Sequence, residues 1–443
     1  MKKFFALPTL MVIGNAFAQE STLDPAATAW ILVSTAFVFL MVIGLAFFYG
    51  GLVRRKNALN TMMMSFVSLG VVGLTWSLLG YSFAYDVGNW FVGGFKFAFL
   101  NHVGLTGDGV PAILDLAFQG AFAIITAALI SGAVVERMRF SAFMLFIALW
   151  SLVIYGPLAH WVWGGGFLST LGAIDFAGGT VVHINAGVAA LVLALMIGKR
   201  RDYGKKAMLP HQVPFTLLGA GLLWFGWFGF NGGSAYAADG IASLALANTL
   251  LAPAATIVIW AIIDLFRVGK VTAVGLATAV IVGLVAITPA AGVVSPLAAI
   301  IIGLIATFPS YAFITWRGNS SLDDSLDVFG AHGLGGISGA LLTGVFVSTA
   351  WGGEVSGSFN QFIIQLVAVG VAIVFSALGT FIIARIVGLF VPLRAEEKPE
   401  EQGLDVPMHG EEAYGDGEGA LLIPISTSTK AAQVATGNLE NQS

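Results

Sequence analysis

The 443-residue chain contains no cysteine, and only 10% of its residues are charged. The absence of cysteine excludes disulfides and thiolate metal sites. So few charges, combined with 57% hydrophobic residues and a mean hydropathy of +0.89, exclude a water-soluble globular protein with an ordinary surface. The composition predicts a polytopic membrane protein. The net charge of −4 says little about partners, because much of the acidic surplus lies in the C-terminal tail.

The first 18 residues, MKKFFALPTLMVIGNAFA, have the form of a secretory signal peptide. Lys2 and Lys3 precede a short apolar stretch, which ends in the small-residue pattern Ala16-Phe17-Ala18. The alternative is a retained first helix, but the apolar stretch is short for a membrane span and the polar segment QESTLDP follows it. We therefore predict cleavage after Ala18 and a mature N-terminus outside the cytoplasm.

Long apolar runs of about the 20 residues that a bilayer requires recur along the rest of the chain. We predict eleven transmembrane helices, at about 27–50, 61–84, 112–135, 141–163, 178–198, 212–232, 239–263, 271–291, 295–316, 329–350 and 360–390. With the N-terminus outside, the basic loops near 54–56, 137–139, 199–206, 267–270 and 317 all fall inside, as the positive-inside rule requires. The sequence thus predicts a transmembrane domain over 19–392 and a cytoplasmic tail over 393–443.

Two similar segments suggest an internal repeat. The first span ends in AFFYGG, the sixth ends in FGWFGFNGG, and a histidine occurs in the fifth span of each half, at His183 and His332. A five-span offset gives the two copies opposite orientations, which is the inverted-repeat arrangement of many transporters. The predicted fold is therefore an all-α inverted 5+5 repeat plus an eleventh helix.

His183 and His332 are the leading candidate functional residues. Ionisable side chains are costly in hydrocarbon and usually face the interior of a helix bundle. Two neutral imidazoles at the same depth can share one hydrogen bond and leave one nitrogen each for a lumen. In the alternative interpretation, each histidine only hydrogen-bonds a neighbouring helix.

Two aspartates precede these histidines, and both are predicted to cap a helix. Asp175 lies eight residues before His183, and Asp327 lies five residues before His332. A cation-attracting role for Asp175, on the outer side, is compatible with capping.

Aromatic residues form a further set near the outer ends of the spans. Most membrane aromatics belong to interfacial belts or to packing. The functional alternative is a cation–π vestibule followed by phenylalanines that exclude water. The candidate residues are Phe118, Phe122, Trp163, Trp224, Trp227 and Phe230, with Ser234 close by.

Four segments of the sequence resemble the ammonium transporter (Amt/Mep/Rh) family, and most closely the bacterial inner-membrane Amt proteins. DFAGGTVVHINAG and DVFGAHGLGG resemble the family motifs around the two pore histidines. GWFGFNGGSA and AFQGAFAIITAALISGAVVERMRF resemble two further family blocks. The resemblance extends over about residues 20–415.

The resemblance implies a role for each candidate residue. It makes His183 and His332 the twin pore histidines, with Trp227 beside the pore. By the same resemblance, the outer ammonium site consists of Phe118, Trp163, Ser234 and Asp175, and the stacked gate beneath it consists of Phe122 and Phe230.

The resemblance also implies a homotrimer in the bacterial inner membrane, eleven spans with the amino end periplasmic, and a cytoplasmic tail that helps to dock a PII-type signalling protein. It implies ammonium, ammonia and methylammonium as substrates, with no enzyme activity, cofactor or metal. The tail beyond Ala420 departs from the family pattern and is predicted to be disordered.

The function expected from these residues is ammonium transport. In this hypothesis ammonium loses a proton at the outer vestibule, and ammonia passes the two histidines, with the proton either following or returning outside. The alternative is an ammonium sensor that signals through its tail with little flux. A third possibility, an intramembrane metalloenzyme, lacks a third catalytic ligand.

Overall fold

The computed structural model describes residues 22–415. The predicted signal peptide, residues 1–18, and the predicted disordered segment beyond Ala420 lie outside these residues. Within the described part, the only paired strands are Thr22–Leu23 and Asp108–Gly109, which run parallel and tie the start of the described chain to the loop before α3 (Ala112–Ala133). Apart from two isolated β-bridges, all other regular structure in residues 22–415 is helical, as the long apolar runs predicted.

Ten helices of the described chain are long and apolar enough to cross a membrane. A shorter apolar helix, α8, lies at the predicted eighth span. In chain order, these ten helices and the shorter α8 are α1 Pro25–Leu52, α2 Arg55–Tyr85, α3 Ala112–Ala133, α4 Phe140–Leu171, α5 Gly179–Ile197, α6 Val213–Gly233, α7 Gly240–Arg267, α8 Ala273–Ile287, α9 Pro296–Gly318, α10 Phe329–Phe346 and α11 Phe359–Phe390. The all-α polytopic fold is confirmed. At about 1.5 Å per residue, α8 is about 22 Å long and too short to cross alone, so the count of eleven spans stays a prediction.

Side-chain caps mark where several of these helices begin. Asp24 accepts hydrogen bonds from the first backbone amides of α1, and Asp239 does the same for α7. Thr272, Ser295 and Ser358 cap α8, α9 and α11. Each cap satisfies N–H groups that have no partner inside the helix, which is why the apolar runs start sharply at these residues.

Glycines allow the corresponding helices of the two halves to pack closely. A methyl group at Gly219 in α6 would overlap the backbone nitrogen of Phe48 in α1. Between α5 and α10, a methyl group at Gly187 would overlap the backbone of Gly333. Helices in lipid lack a hydrophobic driving force for association, so they associate through van der Waals packing, which small residues make close. This packing brings the two histidine-bearing helices together.

A buried ion network joins the loops at the end of the bundle that the basic residues mark as cytoplasmic. The Glu136 carboxylate pairs with Arg54 at 2.8 Å and with Arg200 at 3.0 Å, and Arg200 also pairs with Asp323 at 2.8 Å. Burial alone would raise the pKa of Glu136, but Arg200 and Arg54 outweigh it and the pKa lies below the usual value. The pKa of Asp323 is also lowered, because Arg200 and Arg137 outweigh the effect of burial.

The chain after α11, residues 391–415, includes the described part of the predicted tail and folds back onto this network through two short helices, α12 Glu397–Gln402 and α13 Asp405–His409. Glu400 pairs with Arg394 at 2.8 Å and accepts the backbone N–H of Arg201 at 3.0 Å. Asp405 accepts the backbone N–H groups of Leu59 and Asn60 at the start of α2. This part of the tail is therefore docked on the transmembrane domain.

Candidate functional site

Each of the two candidate histidines lies in a π-helical turn at the start of its helix. His183 belongs to the turn Gly179–Ile184 in α5, and His332 belongs to the turn Phe329–Gly333 in α10. Both side chains are buried, with 1% and 3% of their surface exposed. The wider π turn is uncommon and is often found at functional sites. The apolar pattern of the sequence does not distinguish it from an α-helix.

Asp175 caps α5, as predicted. Its two carboxylate oxygens accept the backbone N–H groups of Gly178, Gly179, Thr180 and Val181 at 2.6–3.1 Å. Four amide donors neutralise much of the charge that the carboxylate presents to its surroundings.

The prediction that Asp327 caps α10 is wrong. Asp327 instead pairs with Arg317, at 2.7 Å and 2.9 Å, through both carboxylate oxygens. The cap is Asp324, which accepts the backbone N–H groups of Val328 and Phe329. Asp324 lies eight residues before His332, which is the spacing of Asp175 from His183, so the repeated spacing was the signal that sequence analysis missed.

The two imidazoles contact each other directly. Their Nδ1 atoms lie 3.3 Å apart, and their ring planes are inclined by 28°. Two nitrogens at this distance share one proton donor, so one ring donates and the other accepts, as predicted. The Nε2 atom of His183 is buried and has no hydrogen-bond partner. The pair therefore keeps hydrogen-bonding capacity for a guest.

Both histidines line a narrow cavity whose other walls are apolar or aromatic. The space available to the centre of a water-sized sphere is about 10 Å³, enough for about one such molecule. Trp227 stacks on His183, with ring centroids 5.2 Å apart, and its indole N–H donates to Thr288 at 2.9 Å. The remaining wall residues are Met41, Leu45, Phe48, Ile125, Leu129, Val182, Leu223, Phe230 and Ile281.

A stacked phenylalanine pair separates this cavity from a wider one, called the outer cavity because it lies on the side predicted to face outward. The rings of Phe122 and Phe230 lie 4.1 Å apart, centroid to centroid, at an interplanar angle of 28°. Phe230 lines the narrow cavity, and Phe122 lines the outer cavity of about 460 Å³. The family resemblance implied these two residues as a gate. They lie between the two cavities, and their role as a gate stays a prediction.

The predicted outer-site residues divide between the wall of the outer cavity and the layer behind it. Trp163 and Ser234 line the cavity. Trp163 also donates its indole N–H to the backbone oxygen of Asp175 at 2.8 Å, which links the vestibule to the start of α5. Phe118 is fully buried and packs edge-on against Phe122 at 5.0 Å, so it supports the Phe122 ring.

Other residues of the outer cavity were not among the candidates. The wall includes Asp115, Gln119, Tyr85 and Tyr236. The sequence did carry a signal for two of them: in DLAFQG, Asp115 lies three residues before Phe118 and Gln119 lies four residues after Asp115, so all three share one helix face. Among residues 22–415, no group of three or more histidine, aspartate or glutamate side chains is arranged to hold a metal ion.

The model of the Ammonium Transporter Family matches residues 29–414. The chain belongs to the ammonium transporter family. An ammonium transporter from Aquifex aeolicus is 48% identical over 408 residues, which make up 90% of this chain and 96% of that protein. The family resemblance inferred from four sequence segments is therefore confirmed, and the protein is a multi-pass membrane transporter and not an enzyme.

Solved structures agree with this assignment. The crystal structure of Saccharomyces cerevisiae Mep2 has a TM-score of 0.80 at 35% identity, covering 85% of this chain and 89% of that chain. A structure named "Sensor Amt Protein" has a TM-score of 0.82 at 30% identity, covering 87% of this chain and 98% of that chain. Ammonium transporters and a protein named as a sensor thus share the fold of this member of the family.

Proposed function

We propose that this protein takes up ammonium by conducting ammonia past His183 and His332, after ammonium has lost a proton at the outer vestibule. The observation that carries the proposal is the buried imidazole pair, joined through Nδ1 atoms 3.3 Å apart in a cavity that holds about one water-sized molecule. Membership of the ammonium transporter family supports ammonium as the substrate.

The free-energy cost of dehydration argues against passage of the intact ion. Moving a small cation from water into an apolar medium costs tens of kcal/mol in the Born limit. A cation–π contact returns only about 2 kcal/mol, and the narrow cavity offers few aromatic faces. Neutral ammonia avoids this cost, because it needs only hydrogen-bond partners.

The imidazole pair can supply those partners in complementary form. When one Nδ1–H donates to the other Nδ1, the donating ring keeps a lone pair on Nε2 and the accepting ring keeps an N–H on Nε2. The lumen then contains one acceptor and one donor, and ammonia can be both donor and acceptor. A potassium ion cannot give up a proton, so it gains nothing from this arrangement.

In this proposal, the residues along the path act in sequence. Trp163 and Ser234 line the outer site for ammonium, Phe118 supports it from behind Phe122, and Asp175 adds electrostatic attraction from its capping position. Phe122 and Phe230 exclude water, and the proton leaves near this pair, either returning to the outer water or following the ammonia inward. His183, His332 and Trp227 then line the path of ammonia.

The test is transport by the purified protein in proteoliposomes. We expect ammonium to evoke uptake while potassium flux stays at the background, and we expect His183→Ala to lose this selectivity or the uptake itself. The charge that moves per ammonium nitrogen measures whether the proton follows. Ammonium uptake with unchanged selectivity in His183→Ala would refute the histidine part of the proposal.

The second candidate function is ammonium sensing with little flux. Two observations support this function: the structural similarity to the protein named "Sensor Amt Protein" and the docking of the tail on the transmembrane domain. Binding of ammonium without measurable uptake in the same proteoliposomes would support the sensor and contradict the transporter.

Family membership and the distribution of charge support a proposal for the assembly and location of the protein. We propose a homotrimer in the bacterial inner membrane, with a cleaved signal peptide, a periplasmic amino end and a cytoplasmic tail that binds a PII-type protein. Methylammonium is the expected second substrate. Crosslinking of the protein in membranes, and labelling of residues placed in the tail, test the trimer and the orientation.

A further inference from the structure

The outer cavity contains a carboxylate that the proposed function does not use. The two carboxylate oxygens of Asp115 accept hydrogen bonds from the hydroxyl groups of Tyr81, at 2.6 Å, and of Tyr236. Asp115 belongs to the wall of the cavity together with Trp163 and Ser234. A carboxylate has about four lone-pair sites, and the two tyrosines occupy two of them, so each oxygen can accept one more donor.

The same hydrogen bonds determine how the neighbouring amide is oriented. The hydroxyl of Tyr236 donates its only hydrogen bond to Asp115. Tyr236 must therefore accept a hydrogen bond from Gln119, whose Nε2 lies 2.7 Å from the tyrosine oxygen. This contact turns Oε1 of Gln119 away from Tyr236. The Oε1 atom is buried without a hydrogen-bond partner, and Gln119 is only 9% exposed while lining the same cavity.

An unpartnered buried acceptor beside a carboxylate calls for a ligand with several N–H donors. Leaving such an acceptor unsatisfied costs about 1–3 kcal/mol. Asp175 is a poorer source of charge for the vestibule, because four backbone amides already bind its two oxygens. Asp115 has only two neutral hydroxyl partners and is only partly buried.

We propose that Asp115 and Oε1 of Gln119 form a binding subsite for ammonium-type cations in the outer cavity, with Asp115 supplying the negative charge. The proposal rests on the proposed transport function and adds a substrate-binding carboxylate to it. The subsite raises the occupancy of the vestibule at low ammonium concentration. It does not take part in the later passage of ammonia, so it sets KM and leaves the maximal rate unchanged.

The experiment compares Asp115→Asn with the parent in proteoliposomes at low and at physiological salt. Loss of one charge contact at about 4 Å, even in a dielectric like water, corresponds to about a fivefold higher KM. Raising the salt from about 10 mM to 150 mM shortens the Debye length from about 30 Å to about 8 Å. The KM of the parent is therefore expected to rise with salt, whereas that of Asp115→Asn stays nearly constant.

The matched control is Asp239→Asn. Asp239 is an exposed residue that caps α7, is not part of the cavity wall, and can be replaced by asparagine without loss of the cap. We expect this variant to keep the KM and the salt dependence of the parent. A second variant, Gln119→Leu, removes the acceptor but keeps the charge, so its KM should rise while the salt dependence stays.

The readouts distinguish the subsite from the proposed function. Unchanged KM and salt dependence in Asp115→Asn, with normal uptake by the parent, would overturn the subsite and leave the transport proposal standing. Absence of uptake by the parent would overturn transport. The subsite would then be decided by thermal stabilisation of the protein by methylammonium, expected in the parent and weakened in Asp115→Asn. If Asp115→Asn does not fold, Gln119→Leu decides, because an unchanged KM in that variant contradicts the proposal.

Discussion

Four aspartates near the pore show that the partners of a carboxylate decide its role. Asp175 and Asp324 accept backbone N–H groups at the starts of α5 and α10. Asp327, only three residues from Asp324, pairs with Arg317 instead. Asp115 accepts two tyrosine hydroxyls and lines the outer cavity. The sequence identified Asp175 as a cap because its segment begins a span, but it offered no partner for Asp327 other than the helix.

The two caps provide a matched pair of substitutions. Asp175→Ala and Asp324→Ala should each lower the stability of the protein by about 2 kcal/mol, because each leaves backbone amides without an acceptor. Only Asp175→Ala should raise the KM for ammonium, since only Asp175 is linked to the outer cavity through Trp163. Thermal denaturation in detergent and uptake in proteoliposomes measure the two effects. An equal change of KM in both variants would assign Asp175 to folding alone.

At the scale of helices, close approach and local helix geometry position the histidines. The π turns in α5 and α10 change the direction of the side chains relative to a regular α-helix. Gly187 lies four residues after His183 and faces Gly333, the neighbour of His332, so the two helix backbones meet one turn from the imidazole pair. The abundance of glycine predicted tight packing, but the sequence could not identify which glycines face each other.

Gly187→Ala should separate α5 from α10 and disrupt the histidine pair. Overpacking at such a contact costs about 1–3 kcal/mol, so both thermal stability and ammonium uptake should fall. Gly370→Ala in α11 is the control, because a methyl group there has no neighbouring atom within 4 Å. Because alanine is a better helix former than glycine, the thermal stability of Gly370→Ala should equal or slightly exceed that of the parent. Normal uptake by Gly187→Ala would contradict the importance of this contact.

For the whole molecule, the buried ion network connects segments that are far apart in the chain. Arg54, Glu136, Arg200 and Asp323 come from four different loops, and Arg137 donates to the backbone oxygens of Gly198 and Asp323. The tail adds Arg394 and Glu400 at its edge. Because each charge has an opposite charge beside it, the network can stay ionised although it is buried.

Glu136→Gln should destabilise the protein at neutral pH by about 3 kcal/mol, because Arg54 and Arg200 lose a buried partner. The lowered pKa values of Glu136 and Asp323 also give a sign for the effect of pH. Their stabilisation is complete above the ordinary carboxyl pKa, which for Glu136 is 4.5, and is lost as the pH falls through the lowered values.

As the pH is lowered past about 4.5, the melting temperature in detergent should therefore decrease. The decrease should be less steep in Glu136→Gln, which has lost one of these carboxylates. Glu396→Gln is the control, because Glu396 pairs with Arg139 at the surface, where an ion pair contributes about 0–1 kcal/mol. An equal pH dependence in the parent and in Glu136→Gln would show that this carboxylate does not stabilise the fold.

The sequence by itself determined the membrane class, the ends of the long apolar helices to within about eight residues, the family, and the candidate pore residues. These follow from composition, apolar run length and local motifs, which act over short distances along the chain. Only the tertiary structure decided that Asp324 and not Asp327 caps α10, that the imidazoles meet through Nδ1, and that Asp115 and Gln119 line the vestibule. Those outcomes depend on which side chains from distant segments come within about 3 Å of one another, and that is settled by the packing of whole helices.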